Sequence, residues 1–315
     1  MQMPELLQPG DTVAILATSG PCDGGLLAKG VEALKALGLI PWVMESCHKR
    51  HGYLAGPDDL RLRDLHTAFA ASKVRGIFVA RGGYGAQRLL PKLDLNLIRR
   101  NPKVFVGYSD VTALHTMFNQ HCELITFHGP MPAVDLARAN MQFTTNALKK
   151  MIFATLSPGC MAYTDDNPGM PHKRLLANPP GQPFTTIVPG RAVGPLTGGN
   201  LCLLAASIGT PYEIDTRGRI LFMEETGEDP YRIDRMLLQL KLAGKLADAA
   251  GIVLGDCSPQ TLETMHIPIS ELIAMEGKPT LAGLACGHTS YNLTLPLGQT
   301  VELNATYGEI EVLGI

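Results

Sequence analysis

A serine stands where a short apolar run gives way to a helix-like segment. Ser109 lies in Gly107-Tyr108-Ser109-Asp110, after the run 104–106 and before the segment 111–119. A serine on a sharp strand-to-helix turn presents its hydroxyl at the end of a sheet, and the N–H groups of the helix start can stabilise a developing negative charge. This is the geometry of an activated-serine hydrolase. Val111 occupies the position two residues on, where glycine is usual, so catalytic partners must be sought elsewhere in the chain.

The first partner to seek is a base. A serine hydroxyl is a poor nucleophile at neutral pH and needs a base, usually histidine, which a carboxylate orients. Two histidines, His128 and His288, each end an apolar run beside a glycine. His115 lies on the helix after Ser109, and helix geometry is expected to point it away from the hydroxyl. A strand-end histidine is more often structural than catalytic, so the residues alone leave His128 and His288 as alternatives.

The second partner is a carboxylate. Glu224 and Glu225 end the apolar run Ile220-Leu221-Phe222-Met223, where a partly buried orienting carboxylate would lie. The alternative is a capping role or a salt bridge with Arg232 or Arg235. Because alternate residues of a strand point to opposite faces, only one of the two glutamates can face a given histidine.

A glycine loop offers a further site. Gly82-Gly83-Tyr84-Gly85 follows a predicted strand and therefore lies at the carboxyl edge of the sheet, where ligands bind. It lacks the GxGxxG pattern and the Walker lysine, so a nucleotide site has weak support. The alternative is a backbone N–H donor to an oxyanion, since glycine permits close approach. The chain has no HExxH motif and no paired Cys/His spacing, so we predict no metal and no cofactor.

These residues need a scaffold, and the first half of the chain predicts one. Short apolar strands alternate with amphipathic helices, which indicates a parallel α/β sheet. The predicted strands there are 12–17, 40–44, 76–80, 103–106 and 124–127, and the longer predicted helices are 25–37, 57–71 and 111–119.

The second half begins after a change in composition. Pro, Gly, Asn and Asp dominate from about 157 to 190, which predicts a linker or irregular segment. Beyond it we predict strands at 219–224 and 251–255, helices at 201–207, 231–243 and 269–275, and a mixed β ending from 292 to 315. The predicted domains are 1–156 and 191–315, joined by 157–190.

Composition excludes several classes of partner. The net charge is −2 and the pI is near 6.5, so nothing favours nucleic acid or an anionic membrane, and a small neutral or zwitterionic substrate fits better. The seven cysteines are odd in number and form no CxxC, which argues against a disulfide framework or zinc ribbon. The start has no signal-peptide pattern, and no apolar run reaches the roughly 18 residues of a membrane span. We therefore expect a cytoplasmic protein.

Several separated motifs resemble the LD-carboxypeptidases of serine peptidase family S66. They occur in the family's order over about residues 6–310: Leu7-Gln8-Pro9-Gly10-Asp11, Val79-Ala80-Arg81-Gly82-Gly83-Tyr84-Gly85, Gly107-Tyr108-Ser109-Asp110, the string 220–237, and Gly287-His288. The chain departs from the family at Glu224-Glu225, where Glu-Asp is usual.

The resemblance implies a Ser–Glu–His triad at Ser109, Glu224 and His288. It also implies an oxyanion hole formed by the N–H groups of Asp110 and Gly83. Glu224 is then the glutamate that faces the histidine, and we expect Glu225 to be exposed. The residues assigned to substrate contacts are Gly82, Tyr108, Asn200 and Tyr231.

The resemblance carries a fold and an activity as well. The implied fold is α/β, with an N-terminal parallel, doubly wound sheet (flavodoxin- or glutamine-amidotransferase-like) and a smaller, swivelling-type α/β C-terminal domain. The first domain would carry the nucleophile, and the second would carry the glutamate and the histidine. The implied activity is release of the terminal D-alanine from cell-wall tetrapeptides during peptidoglycan recycling, by a homodimer.

The sequence is also compatible with two other functions. One is an immunity-type hydrolase of the same family, which cleaves peptidyl-nucleotide antibiotics of the microcin C type. That group tends to carry an aromatic-bearing loop after the glutamate, whereas the stretch 226–231 has no tryptophan and Trp42 is the only one in the chain. The other is a non-catalytic nucleotide- or sugar-binding α/β protein that uses the glycine loop. The complete set of triad residues argues against this second alternative.

Overall fold

The structure is a computed structural model that describes residues 1–153, 174–257 and 268–314. Much of the segment predicted as irregular, from 157 to 173, lies outside them. The chain forms two compact units, Met1–Ser157 with Thr294–Pro296, and Pro158–Leu293 with Leu297–Ile315. Within the described ranges, no helix is both long enough and apolar enough to cross a membrane.

The first unit is built on a parallel sheet. Its strands are β1 (Thr12–Leu16), β2 (Ile40–Val43), β3 (Val74–Val79), β4 (Val104–Gly107), β5 (Thr126–His128) and β12 (Leu295–Leu297). They lie in the order β12-β5-β4-β3-β1-β2, and β1 to β5 pair in parallel. The predicted parallel α/β sheet is thereby confirmed. The strand order 2-1-3-4-5 has its switch point between β1 and β3, and ligands bind at such a point in doubly wound folds.

Helices cover this sheet. They are α1 (Gly24–Ala36), α2 (Asp58–Ala70), α3 (Leu95–Arg100), α4 (Thr112–Cys122) and α5 (Gln142–Ile152). Asp23 caps α1, because its Oδ1 accepts a hydrogen bond from Leu26 N at 2.9 Å. Three buried rings join α2, β4 and α4: the Phe105 centroid lies 6.2 Å from that of Phe69 and 5.0 Å from that of Phe118. This packing fixes the strand and the helix on either side of Ser109.

The second unit has a mixed sheet. Its strands are β6 (Arg174–Leu175), β7 (Thr185–Val188), β8 (Arg191–Asn200), β9 (Ile220–Glu225), β10 (Gly251–Cys257), β11 (Thr280–Leu284), β13 (Thr300–Asn304) and β14 (Glu309–Val312). The order is β6-β14-β13-β8-β9-β10-β11-β7, with β8 to β11 parallel and the flanking strands antiparallel. The short strands β6 and β7 therefore lie within the segment for which irregular structure was predicted.

Helices on this second sheet are α6 (Leu201–Ser207), α7 (Pro230–Leu242), α8 (Lys245–Asp248) and α9 (Pro268–Ala274). Alternate residues of β9, Leu221 and Met223, join a buried cluster with Ile233 and Leu237 of α7. In β8 and β9, Asn200 and Glu224 are register partners at the carboxyl ends of their strands. The sheet thus brings the polar residues of these two strand ends to one edge.

Candidate active site

Ser109 has a strained backbone. Its φ is +65°, in the left-handed region, and it is the first residue of the turn 109–111 that joins β4 to α4. A residue other than glycine in such a conformation costs on the order of 1–3 kcal/mol, and strain of this kind clusters at active sites. The turn therefore has the geometry of a nucleophile elbow, although Val111 stands where glycine is usual. Gly107 makes the room, since a Cβ there would lie 3.0 Å from Val111 Cγ1.

The glycine loop lies directly over the serine. A Cβ on Gly82 would lie 2.9 Å from Ser109 Oγ and 3.6 Å from the backbone nitrogen of Asp110, so only glycine fits. The carbonyl oxygen of Gly82 accepts hydrogen bonds from Gly20 N at 3.1 Å and from Arg81 Nε at 3.3 Å. Because a trans peptide points its C=O and N–H in opposite directions, these bonds fix the direction of the next N–H group along the chain. Within this unit, the geometry supports a backbone donor beside the serine.

The Asp110 side chain ties neighbouring loops to the elbow. It is buried, and its Oδ2 accepts hydrogen bonds from Ser19 Oγ at 2.6 Å and from Ala86 N at 2.7 Å. Burial raises the pKa of Asp110, and these two hydrogen bonds and the charge of Arg61 oppose the rise. Ser19 follows β1 and Ala86 follows the glycine loop after β3, so Asp110 binds both sides of the switch point.

Two histidines of this unit, His115 and His128, occupy buried positions that are typical of structural residues. His115 Nε2 lies 2.8 Å from the carbonyl oxygen of Gly107 and its Nδ1 lies 2.9 Å from Thr126 Oγ1. Burial lowers the pKa of His115 to about 4, so the ring is neutral at physiological pH. His128, the alternative base, is completely buried at the end of β5 with its ring 5.6 Å from that of Tyr108. Tyr108 is also buried and donates to Asp135 Oδ1 at 3.3 Å.

The second unit brings Glu224 and His288 together. His288 Nδ1 lies 2.7 Å from Glu224 Oε2, and the Glu224 side chain is completely buried while that of His288 is 21% exposed. Two glycines surround the carboxylate. A Cβ on Gly287 would lie 2.7 Å from Glu224 Cδ, and one on Gly255 would lie 2.7 Å from Glu224 Cβ. The glutamate can therefore hold the imidazole in one orientation and one tautomer.

Glu225 is buried, which makes the expected exposure of its side chain wrong. Only 4% of the residue is exposed. Its Oε1 accepts from Asn200 Nδ2 at 3.1 Å and Thr226 N at 2.9 Å, and its Oε2 accepts from Cys202 N at 2.8 Å. Burial raises the pKa of Glu225, and the hydrogen bonds from Thr226, Asn200 and Cys202 oppose this rise. The start of α6 covers this face of the strand, and sequence alternation alone could not reveal that.

The remaining predicted contacts differ in exposure. Asn200 is the N-cap of α6, and its side chain is buried against Glu225. Tyr231 is 59% exposed in the first turn of α7, with the guanidinium carbons of Arg232 and Arg235 5.8 and 5.7 Å from its ring centroid. The substrate contacts predicted for Gly82, Tyr108, Asn200 and Tyr231 stay predictions.

Several residues that build the site could not be predicted from the sequence pattern. Gly255 and Gly287 make room for the Glu224 carboxylate, while Ser19 and Arg61 hold the loops around Ser109. Gly287 precedes His288 in the sequence, but its closeness to Glu224 depends on the pairing of distant strands. In the three described ranges, no three His, Cys, Asp or Glu side chains form a group that could hold a metal ion.

The chain matches the sequence models of two domains of one family. These are the LD-carboxypeptidase N-terminal domain of peptidase family S66, over residues 13–129, and the corresponding C-terminal domain, over residues 193–303. A probable murein peptide carboxypeptidase of Bacillus subtilis (strain 168) is 40% identical over 307 residues, which cover 96% of this chain and 91% of that protein.

Solved structures resemble the whole chain. A muramoyltetrapeptide carboxypeptidase from Oxalobacter formigenes is 30% identical with a TM-score of 0.77, and the match covers 96% of this chain and 97% of that one. An MccF-like protein from Bacillus anthracis strain Ames is 25% identical with a TM-score of 0.86, and the match covers 100% of this chain and 100% of that one.

Proposed function

This chain belongs to the LD-carboxypeptidase family, peptidase family S66, and from that premise we propose that it removes the terminal D-alanine from cell-wall-derived tetrapeptides by a Ser109–Glu224–His288 mechanism. Family membership makes it a serine-type carboxypeptidase. The names of the similar proteins, a murein peptide carboxypeptidase and a muramoyltetrapeptide carboxypeptidase, support murein peptides as the substrate class.

The main support for Ser109 as the nucleophile is its backbone conformation. Its φ of +65° on the elbow after β4 supports a hydroxyl held for attack, and the closeness of Gly82 supports a donor-lined place for the oxyanion. The observation that supports the base is the 2.7 Å contact between His288 Nδ1 and Glu224. When the Nδ1 proton is donated to that carboxylate, the ring lone pair is on Nε2 and can accept the serine proton.

The chemical steps follow from these roles. Ser109 Oγ attacks the carbonyl carbon of the bond between the diamino acid and D-alanine, while His288 takes the hydroxyl proton. The N–H groups of Asp110 and Gly83 stabilise the oxyanion, and loss of one such donor typically lowers the rate about a hundred- to a thousandfold. The tetrahedral intermediate expels the amine of D-alanine, which His288 protonates. Water then hydrolyses the acyl-enzyme with His288 again as base, and Glu224 stabilises the imidazolium throughout.

The test is turnover of defined peptides. Purified protein is incubated with a tetrapeptide that ends in diaminopimelate and D-alanine, and with its lysine counterpart, and mass spectrometry follows the loss of alanine. The matched controls are the same peptide ending in L-alanine and the Ser109→Ala variant. We expect release only from the D-alanine peptides and only by wild type. Release from the L-alanine peptide, or none from any peptide, would contradict the proposed substrate.

The immunity-type activity is a separate arm of the same experiment. The likeness to the MccF-like protein supports the fold, and Tyr231 is an exposed aromatic residue soon after Glu224. An aminoacyl sulfamoyl adenosine serves as the probe. Its hydrolysis in preference to the tetrapeptide would replace the proposed function with this one.

We further propose that the protein is a homodimer, as the family resemblance implies, and that it is cytoplasmic. Sedimentation of the purified protein and fractionation of cells that produce it test these two points. A monomer at all concentrations, or recovery outside the cytoplasmic fraction, would contradict them.

A further inference from the structure

Three loops meet around the elbow of the first unit. They follow β1, β3 and β4, and they carry Ser19, the glycine loop and Ser109 respectively. Because the chain order reverses between β1 and β3, the loops after these two strands diverge and cannot hold each other as strands do. Buried N–H groups in this gap need other acceptors.

Asp110 supplies one such acceptor. Its Oδ2 binds Ser19 Oγ at 2.6 Å on one loop and Ala86 N at 2.7 Å on the other. Ser19 is followed by Gly20, whose N–H binds the Gly82 carbonyl at 3.1 Å. One carboxylate therefore anchors the end of the glycine loop directly and its beginning through the loop after β1.

Arg61 makes a second bridge between the same two loops. Its side chain is completely buried, and its guanidinium donates to the carbonyl oxygens of Gly85, at 3.0 Å, and of Thr18. A Cβ on Gly85 would lie 2.8 Å from Arg61 Nη1, so the glycine is needed for this bond. The glycine loop is thus fixed by a buried carboxyl group and a buried guanidinium, and the carboxyl group belongs to the residue that follows Ser109.

We infer that Asp110 is a positioning residue whose carboxylate holds the Gly83 N–H group beside Ser109. The positions of both oxyanion donors then depend on this one residue. This inference rests on the proposed serine mechanism. The backbone of Asp110 offers one donor, and its side chain determines where the other lies. A shift of about 1 Å in a group that acts in the transition state can lower the rate about a hundredfold.

The most informative variant is Ser19→Ala, which removes one of the two anchors and leaves Asp110 in place. Its control is Ser46→Ala, which also deletes a completely buried serine hydroxyl bound near the end of β1, to Ala17 N at 3.1 Å, but not to Asp110. Asp110→Ala removes both anchors, whereas the amide oxygen of Asp110→Asn can still accept. We expect kcat to fall about tenfold in Ser19→Ala and about a hundredfold in Asp110→Ala. The kcat of Asp110→Asn should lie between those of Asp110→Ala and wild type, and the kcat of Ser46→Ala should be near that of wild type. KM should stay within about twofold of the wild-type value in all four variants.

A substrate-independent readout separates this inference from the proposed function. Phosphonylation of Ser109 by a fluorophosphonate develops charge on an oxygen that the same donors stabilise, so its rate should fall in the same order. Tetrapeptide affinity, measured in the Ser109→Ala background, should not change when Ser19→Ala is added. Failure of wild type to release D-alanine while the phosphonylation order holds would reject the substrate but keep the positioning role. Equal rates in Ser19→Ala and Ser46→Ala, or losses that fall on KM or follow the melting temperature alone, would overturn it.

Discussion

Gly287 and Glu224 approach so closely that no side chain fits between them: a Cβ on the glycine would lie 2.7 Å from Cδ of the glutamate. Gly287 also has a φ of +94°, which favours glycine. The residue before His288 thus allows the backbone to pass over the buried carboxylate that contacts the imidazole. Gly287 leaves the space that the Glu224 carboxylate occupies, so its substitution should affect catalysis more than folding.

Gly287→Ala should therefore lower kcat/KM by about a hundredfold, because the added methyl group displaces the Glu224 carboxylate from His288. The control is Gly244→Ala, which has a similar φ of +76° but no atom within 4 Å of a Cβ. Both variants should lose about 1–2 kcal/mol of stability from the left-handed backbone. Equal activity of the two variants, with melting temperatures measured in parallel, would show that the carboxylate tolerates displacement.

Substitution of the two candidate histidines identifies the base. His288→Gln should be nearly inactive, while His128→Gln should keep measurable activity, because the His128 ring is completely buried against Tyr108. Glutamine limits the cavity that alanine would leave at a buried site. Steady-state rates of variants that retain a native melting transition decide the matter. The reverse ranking would make His128 the base.

Substitution of the two adjacent glutamates should have different effects, on activity at Glu224 and on stability at Glu225. Glu224→Gln should lose most activity, since the neutral amide cannot stabilise an imidazolium at His288. Glu225→Gln should lose about 1–3 kcal/mol of stability, because its amide NH2 must face a donor such as Cys202 N or Thr226 N. Glu228→Gln is the control for the latter, since it removes only a partly exposed ion pair with Arg232. Greater loss of turnover in Glu225→Gln than in Glu224→Gln would move the orienting role by one residue.

Glu225 also predicts a pH dependence of stability. Burial raises the pKa of Glu225 in the folded protein, so folding is favoured by its proton below the ordinary value of 4.5, and this contribution is lost as pH rises through the folded pKa. The melting temperature of wild type minus that of Glu225→Gln should therefore be larger at about pH 5 than at about pH 8. A constant or inverted difference would show that the hydrogen bonds, rather than burial, control this pKa.

The cysteines allow a check on the loop after β1. The neighbouring Cys47 thiol is the main cause that lowers the pKa of Cys22, and the charge of Arg81 adds to it, whereas burial raises the pKa of Cys122 to about 11. Since the thiolate is the reactive form, iodoacetamide should label Cys22 at lower pH than Cys122, as peptide mass spectrometry can measure. Cys47→Ala should shift the Cys22 profile to higher pH, and an unchanged profile would contradict the thiol contact.

Parts of this structure could be predicted because they depend on local patterns. Continuous apolar runs indicated the parallel strands of the first unit, and the position of Ser109 after one of them indicated the elbow. The burial of Glu225 could not be predicted, since its partners Asn200 and Cys202 come from another strand end and helix. Likewise, β12 is only three residues long, and its place beside β5 depends on long-range pairing.

The triad itself could be predicted only in part. Residue types and strand ends left His128 and His288 as equal candidates, and only the resemblance to a family separated them. The contact of His288 with Glu224 depends on β9 and β11 lying in one sheet on either side of β10. Such a relationship is a property of topology rather than of sequence spacing.

The measurement that decides the role of Ser109 is release of D-alanine by wild type and Ser109→Ala at equal concentration, with both proteins shown to melt alike. The variant removes one oxygen, so the fold should be retained. We predict that wild type converts the tetrapeptide to the tripeptide and that the variant keeps only the residual catalysis expected without a triad member, roughly a thousandth of the rate or less. A folded Ser109→Ala variant that releases D-alanine at more than about a twentieth of the wild-type rate would contradict the serine mechanism.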